Sequence, residues 1–152
     1  MAHPEPAPLD SHLSYWLRLV SNHVSQSFAR RVEAAGVTVA EWVLLRALYD
    51  AEALQPSALA QTLGLTRGAI SKLADRLQQK SLVERRDELS DARAHTLRLT
   101  RAGRALVPQL AALADANEAE FFGVLSPAER KTLDAALRQL ARHHRLRRSP
   151  ID

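Results

Sequence analysis

Cysteine is absent from the chain, which excludes disulfides, thiolate metal sites and thiol-based redox sensing. Long apolar runs are missing as well. No stretch approaches the roughly 20 residues needed to span a bilayer, and the opening M-A-H-P-E-P-A-P has no apolar signal-peptide core. The expectation is a cytoplasmic protein, away from membranes, with a short flexible arm over residues 1–9. Catalytic signatures are also lacking. There is no G-x-S-x-G, no phosphate-binding glycine loop and no H-E-x-x-H, so an enzyme has nothing to start from. The histidines His3, His12, His23, His95, His143 and His144 include no i, i+4 pair. His143 and His144 would point about 100° apart on a helix. Neither a metal site nor a cofactor is expected.

What is present suits one domain of ordinary size. Of 152 residues, 46% are apolar and 25% charged, enough to bury a core and stay soluble. The net charge of +4 is unevenly placed. Residues 66–104 hold ten Arg/Lys against five Asp/Glu, a balance of +5, and the rest holds eleven against twelve, −1. A basic excess confined to one segment favours an anionic partner.

That segment contains the most informative stretch, residues 57–80. Ala58, Leu59 and Leu63 give a first short helix an apolar face. Gly64 and Leu65 make a turn, and Thr66 is placed to cap a second helix. On the second helix Ile70, Leu73, Ala74 and Leu77 fall at i, i+3, i+4 and i+7, one buried stripe. The other face carries Lys72, Arg76 and Lys80 at successive i, i+4 positions. Like charges so spaced cost roughly 0.2–0.5 kcal/mol per pair, and Asp75 and Gln79 interrupt the row without neutralising it. An ordinary solvated face would read similarly. The glycine turn and the cationic second helix together favour a helix-turn-helix that meets DNA in the major groove.

The flanks fit the same architecture. A long helix is predicted from Asp10 or Ser11 to about Ala35, where Gly36 stops it. Thr38 and Glu41 form a T-x-x-E capping box ahead of the apolar helix E-W-V-L-L-R-A-L-Y, and Gln55-Pro56 breaks the chain. After Lys80, L-V-E-R-R and H-T-L-R-L alternate in polarity around the polar loop D-E-L-S-D-A-R-A, which predicts a β-hairpin wing. Thr100 caps a helix bearing Leu106, Leu110, Leu113 and Phe121, with a kink expected at Pro108. Ser126-Pro127-Ala128-Glu129 caps a last helix with Leu133, Leu137 and Leu140. The fold is therefore mainly α with a small β-hairpin wing: a winged helix-turn-helix domain over 37–100 and a helical dimerisation region over 10–36 and 101–148. The outer helices are too long to cover only a winged domain. A second copy of the chain is their simplest partner, with Leu13, Phe121, Leu137 and Leu140 as candidates for the seam.

These residues resemble the MarR family, the multiple-antibiotic-resistance regulators, from about residue 10 to 145. The most specific piece is Asp91-Ala-Arg93 followed by Leu99-Thr100 and Gly103, which resembles the family's D-x-R…L-T-x-x-G wing signature; A-E-W-V-L-L-R-A-L resembles its second helix. The resemblance implies a homodimer on a palindromic operator in double-stranded DNA. It implies repression in most members and, in many, release by a small, often aromatic effector. Two departures stand out. Ser81 occupies a position where the family usually has glycine, and the cysteine of its peroxide-sensing branch is missing.

Within that reading, Thr66, Arg67, Gly68, Ser71 and Lys72 form the start of the reading helix, where arginine can grip guanine in a bidentate way and glycine permits close approach. Arg76 and Lys80 are assigned to phosphate. Arg93 at the wing tip is placed for a narrow minor groove, and Asp91 is assigned to orient Arg93 or to pair with a nearby arginine. Tyr15, Trp16, His23, Trp42 and Arg46 offer an aromatic wall and one cation for an aromatic carboxylate; Trp16 and Trp42 fit a core or an interface equally well. The rival to a sequence-specific regulator is a nucleoid-type binder with no effector. A low ratio of specific to non-specific affinity would identify it.

Overall fold

In the computed structural model, residues 4–88 and 91–146 are described, the side chains of 88 and 91–94 excepted. After a single 3-10 turn, Leu9–Ser11, the elements are α1 (Leu13–Ala34), α2 (Val39–Tyr49), α3 (Pro56–Leu63), α4 (Arg67–Gln79), β1 (Val83–Glu88), β2 (Asp91–Leu99), α5 (Arg101–Phe122) and α6 (Pro127–His143). The mainly helical fold with a two-stranded wing matches the sequence reading. None of the described helices is long and apolar enough to cross a membrane.

Local chemistry places most helix ends. The Thr38 hydroxyl accepts the Glu41 N–H while the Glu41 carboxylate accepts the Thr38 N–H, so the predicted capping box is formed. Ser126 and Glu129 form the second one, with Pro127 at the first helical position. Thr66 and Thr100 cap α4 and α5 through the N–H groups of Ala69 and Gly103. Gly36 ends α1 at φ 93°. Helix α1 starts later than expected. No side chain caps it, and the 3-10 turn uses up Asp10 and Ser11 before Leu13.

The core lies between α2, α3, α4 and the base of the hairpin. Leu44, Leu45 and Leu48 of α2 are fully buried with Leu59, Ile70, Leu77 and Leu97. Val32 of α1 and Val107 and Leu110 of α5 close it from the other side. On α3 the inward residues are Leu59, Ala60 and Leu63; Ala58, expected on that face, is exposed. One helical step, 100°, separates Leu59 from each neighbour, and it is Ala60 rather than Ala58 that turns to the core.

The wing is longer than predicted. β1 and β2 pair antiparallel from Val83↔Leu99 to Glu88↔Asp91, with a shift in register between Asp87 and Glu88. Most of the polar stretch read as a loop is therefore strand. Exposed strands on a two-stranded ribbon need no apolar residues, so polarity misled the boundary. Leu54 adds a short third partner: its N–H donates to the Leu97 carbonyl at 3.0 Å and receives a bond from Leu97 at 2.8 Å. This pins the wing to the segment before α3.

Two features close the wing on the helices. Helix α4 ends in a Schellman turn, with Leu82 N–H donating to the Leu77 carbonyl and Ser81 N–H to that of Gln78. Ser81 therefore adopts φ 58°, a left-handed position where glycine would be unstrained. The Ser81 carbonyl in turn accepts the Thr100 hydroxyl at 2.7 Å. The first turn of α5 sits hard against this corner: a Cβ on Gly103 would lie 2.1 Å from the Leu82 carbonyl oxygen. The glycine of the L-T-x-x-G segment is thus required for packing. Pro108 lies within α5, which continues through it to Phe122.

Gly103→Ala should therefore destabilise the fold by about 2–3 kcal/mol, since overpacking against backbone leaves no rotamer to yield. Urea unfolding at fixed protein concentration measures this, and a midpoint equal to wild type would contradict the corner's geometry.

Candidate nucleic-acid interface

Helix α4 is built to present one face. Ile70, Leu73, Ala74 and Leu77 are all buried, as their spacing predicted. Arg67, Gly68, Ser71, Lys72, Asp75, Arg76, Gln78 and Gln79 are consequently exposed. The turn that aims the helix is set by Gly64 at φ 67°, and Leu65 N–H bonds back to the Ala60 carbonyl at 3.0 Å. The exposed Thr66 hydroxyl accepts the Ala69 N–H as a cap and keeps its own O–H free to donate outward.

The cations around α4 fall into two groups. Arg67, Lys72 and Arg76 are exposed, and among the described residues no carboxylate lies within ion-pair distance of them. Lys80, Arg85 and Arg98 are engaged. Arg85 of β1 donates to Asp75 of α4 at 2.7 Å and ties wing to helix. Arg98 pairs with Glu84 across the hairpin. Lys80 corrects the sequence reading: its ammonium turns inward to Glu41 at 2.7 Å and to the Gly36 carbonyl at 2.8 Å. It does not extend the cationic row, which consists of Lys72 and Arg76 alone. A lysine at the end of a helix has a stem long enough to reach back over the turn, and a buried carboxylate draws it there.

Gly68 has open space where a Cβ would stand, the nearest atom being the Thr66 hydroxyl at 3.9 Å. Nothing inside the protein requires glycine there. Asp91 and Arg93 fall within β2, but their side chains lie outside the described residues.

Between α4, the start of α3 and the wing lies a cleft of about 350 Å³, lined by Arg67, Ser71, Arg85 and His95 among others. Sequence reasoning missed it. The signal was the alternation of H-T-L-R-L, which puts His95 on the inward face with Leu97 and Leu99; the register then sets Leu97 opposite Arg85.

The five residues proposed for an effector pocket do not meet within the chain. Tyr15 and Trp16 pack edge to face at 5.3 Å near the start of α1, and the Trp16 indole donates to the Asp10 carbonyl at 2.8 Å. Trp42 packs on Phe28 at 6.5 Å. Phe28 is twelve residues further along α1 than Trp16, about 18 Å. Arg46 pairs with Asp50 at 2.6 Å and lies over the Tyr49 ring, while His23 is exposed. A second cleft, of about 410 Å³ beside Leu9, His12 and Arg18, holds Tyr15 but none of the other four.

The residues chosen for the seam are covered to different degrees within the chain. Leu13 is 80% exposed, Leu137 42% and Leu140 48%, with Phe121 half-buried. Helix α6 contributes no buried residue at all.

Comparison with known proteins agrees with this geometry. A family model described as MarR family matches residues 35–94, from the end of α1 to the wing. The chain is 27% identical over 143 residues to the HTH-type transcriptional regulator PrsX of Escherichia coli, covering 91% of this chain and 86% of that one. Among solved structures it is similar to the S. aureus MepR–DNA complex, with a TM-score of 0.76 and 25% identity over 87% of this chain and 98% of the other. It is similar also to Bordetella bronchiseptica BpsR, whose structure concerns regulation of DNA binding by 6-hydroxynicotinic acid. There the TM-score is 0.74 and identity 25%, over 90% and 98% of the two chains.

Gly68→Ala should separate folding from interface. The methyl group has room, and helix propensity improves by up to about 1 kcal/mol, so thermal melting should show no loss of stability. DNA binding should weaken in a fluorescence titration. A variant that binds as well as wild type would remove the close-approach role.

Proposed function

We propose that the chain, whose residues 35–94 match the MarR family model and which is similar along most of its length to HTH-type transcriptional regulators, works as a homodimeric DNA-binding repressor which a small aromatic carboxylate releases from a palindromic operator. The observation that carries the DNA reading is the set of cations Arg67, Lys72 and Arg76, none of them ion-paired among the described residues, on the exposed face of a helix whose other face is locked in the core. Arg67, Gly68, Ser71 and Lys72 meet base edges and Arg76 meets phosphate. Arg93, with Asp91, serves the minor groove at the wing.

The dimer reading rests on uncovered apolar surface. Leu13, Leu17 and Val20 on α1 and Leu133, Leu137 and Leu140 on α6 are all exposed in the single chain, more than scattered surface leucines explain. Joining two copies through these helices buries both faces. It sets two reading helices about 34–36 Å apart, or a multiple, to match a two-fold operator. The ligand reading is supported by BpsR and by the cleft beside α4. A small carboxylate seated against Arg67 and Arg85 there would compete with DNA for Arg67.

Titration of a duplex enriched by the chain from a random-sequence pool tests the DNA reading. Log affinity should fall linearly with log salt, at about 0.9 per neutralised phosphate. Arg67→Ala should cost about 1–3 kcal/mol and relax preference at one position per half-site. A flat salt response, or wild-type affinity in the variant, would rule these roles out.

Assembly is tested separately. Leu137→Asp should leave an ion in the seam at a cost of several kcal/mol, so sedimentation should show a monomer, and affinity for the duplex should collapse with the dimer. A wild-type chain that sediments as a monomer while binding tightly would refute the dimer.

A further inference from the structure

Glu41 is a carboxylate only 1% exposed, and it serves two helices at once. As the third residue of α2 it accepts the Thr38 N–H at 3.0 Å, completing a cap. The same oxygen accepts the ammonium of Lys80, the residue that ends α4. Lys80 also donates to the carbonyl of Gly36, the left-handed residue that ends α1. One lysine therefore joins the end of α1, the start of α2 and the end of the reading helix.

We propose that Lys80 and Glu41 act as a positioning clamp that sets the pitch of α4, so that Lys80 governs sequence reading without touching DNA. The inference rests on the DNA-regulator reading above. Its physical basis is leverage. The stripe Ile70, Leu73, Ala74 and Leu77 fixes the rotation of α4 about its own axis, but a row of apolar contacts tolerates small tilts. Helix α4 has 13 residues, about 20 Å of length. A tilt of ten degrees about its last residue moves Arg67 by roughly 3 Å at that length, more than a bidentate hydrogen bond to a base permits. A charge-assisted bond at the far end, backed by a buried acceptor that has no other cation among the described residues, resists that tilt. Because Gly36 shares the ammonium, the clamp also refers α4 to the end of α1.

The clamp and a phosphate contact make opposite forecasts. Full-length Lys80→Met, Glu41→Gln and the double variant are titrated with two duplexes across a salt series. One duplex is enriched by the wild-type chain from a random pool, and the other is of scrambled sequence. The double variant removes both charges, so no buried ion is stranded, and Glu41→Gln keeps an acceptor for Thr38. A positioning role predicts at least a tenfold loss on the enriched duplex for Lys80→Met and a loss in the same direction for Glu41→Gln. It predicts a double variant no worse than Lys80→Met, and unchanged salt slope and affinity on the scrambled duplex. A slope shallower by about 0.9 for each Lys80 lost, with both duplexes weakened alike and Glu41→Gln silent, makes Lys80 a phosphate ligand and overturns the clamp. A lower melting temperature with both affinities and their ratio intact makes the pair purely structural and overturns it too. A wild-type chain that enriches no duplex overturns the reading beneath the proposal, and the proposal with it.

Discussion

Ile70, Leu73, Ala74 and Leu77 hold α4 to the core along one narrow stripe, and the rest of the interface follows from that attachment. Each large apolar side chain contributes about 1.5–3 kcal/mol when fully buried. Turning the helix by one residue, 100°, would bring polar and charged neighbours inward and expose the leucines. Exposed ion pairs contribute about 0–1 kcal/mol, far too little to choose between those two orientations. Burial therefore decides which side faces out, and Arg67, Ser71, Lys72 and Arg76 are exposed as a consequence. The repulsion between Lys72 and Arg76, a few tenths of a kcal/mol, is small beside it.

Polar contacts do different work: they fix where elements begin, end and tilt. The Thr66 cap and Gly64 set the entry of α4, and the Schellman turn through Ser81 sets its exit. Asp75 and Arg85 couple it to the wing, while Leu54 and Gly103 hold the wing's base. Each is individually modest. Together they determine whether the exposed face is held at an angle DNA can use, a requirement of geometry rather than of stability.

That division explains what was legible in the sequence. Caps depend on residues three apart, so Thr38-Glu41, Ser126-Glu129, Thr66 and Thr100 were all readable, as was the 3.6-residue stripe on α4. The start of α1 was not, because no side chain caps it and the 3-10 turn before it has no strong signature. The wing's length was hidden because the stretch D-E-L-S-D-A-R-A lacks the apolar alternation that marks a strand in sequence. Lys80 looked like the third member of a cationic row because its partner Glu41 is 39 residues away in sequence and already accounted for as a cap. The separation of the effector candidates was hidden in the same way: Trp16 and Trp42 are both aromatic and both on the first two helices, yet Trp42 packs on Phe28, whose backbone lies about 18 Å further along α1 than that of Trp16.

Helix α6 poses the strongest constraint on assembly. It has 17 residues, a complete capping box and an i, i+4 pair between Asp134 and Arg138, but no buried residue. Helices near that length are marginal in water even when rich in alanine, and in proteins most of their stability comes from packing an apolar face. The cap and the ion pair supply about 1–2 kcal/mol between them, less than the entropy of ordering so many residues. Leu133, Leu137 and Leu140 form the face that would make up the difference, and within one chain each of them stays 38–48% exposed. The exposed leucines of α1 present the same deficit at the other end of the sequence. In the proposed dimer, the two incompletely covered faces on the helices that flank the winged domain would be satisfied together by a second copy that brings the same two faces. Such pairing would couple the stability of the outer helices to the spacing of the reading helices, so that anything that loosens one disturbs the other.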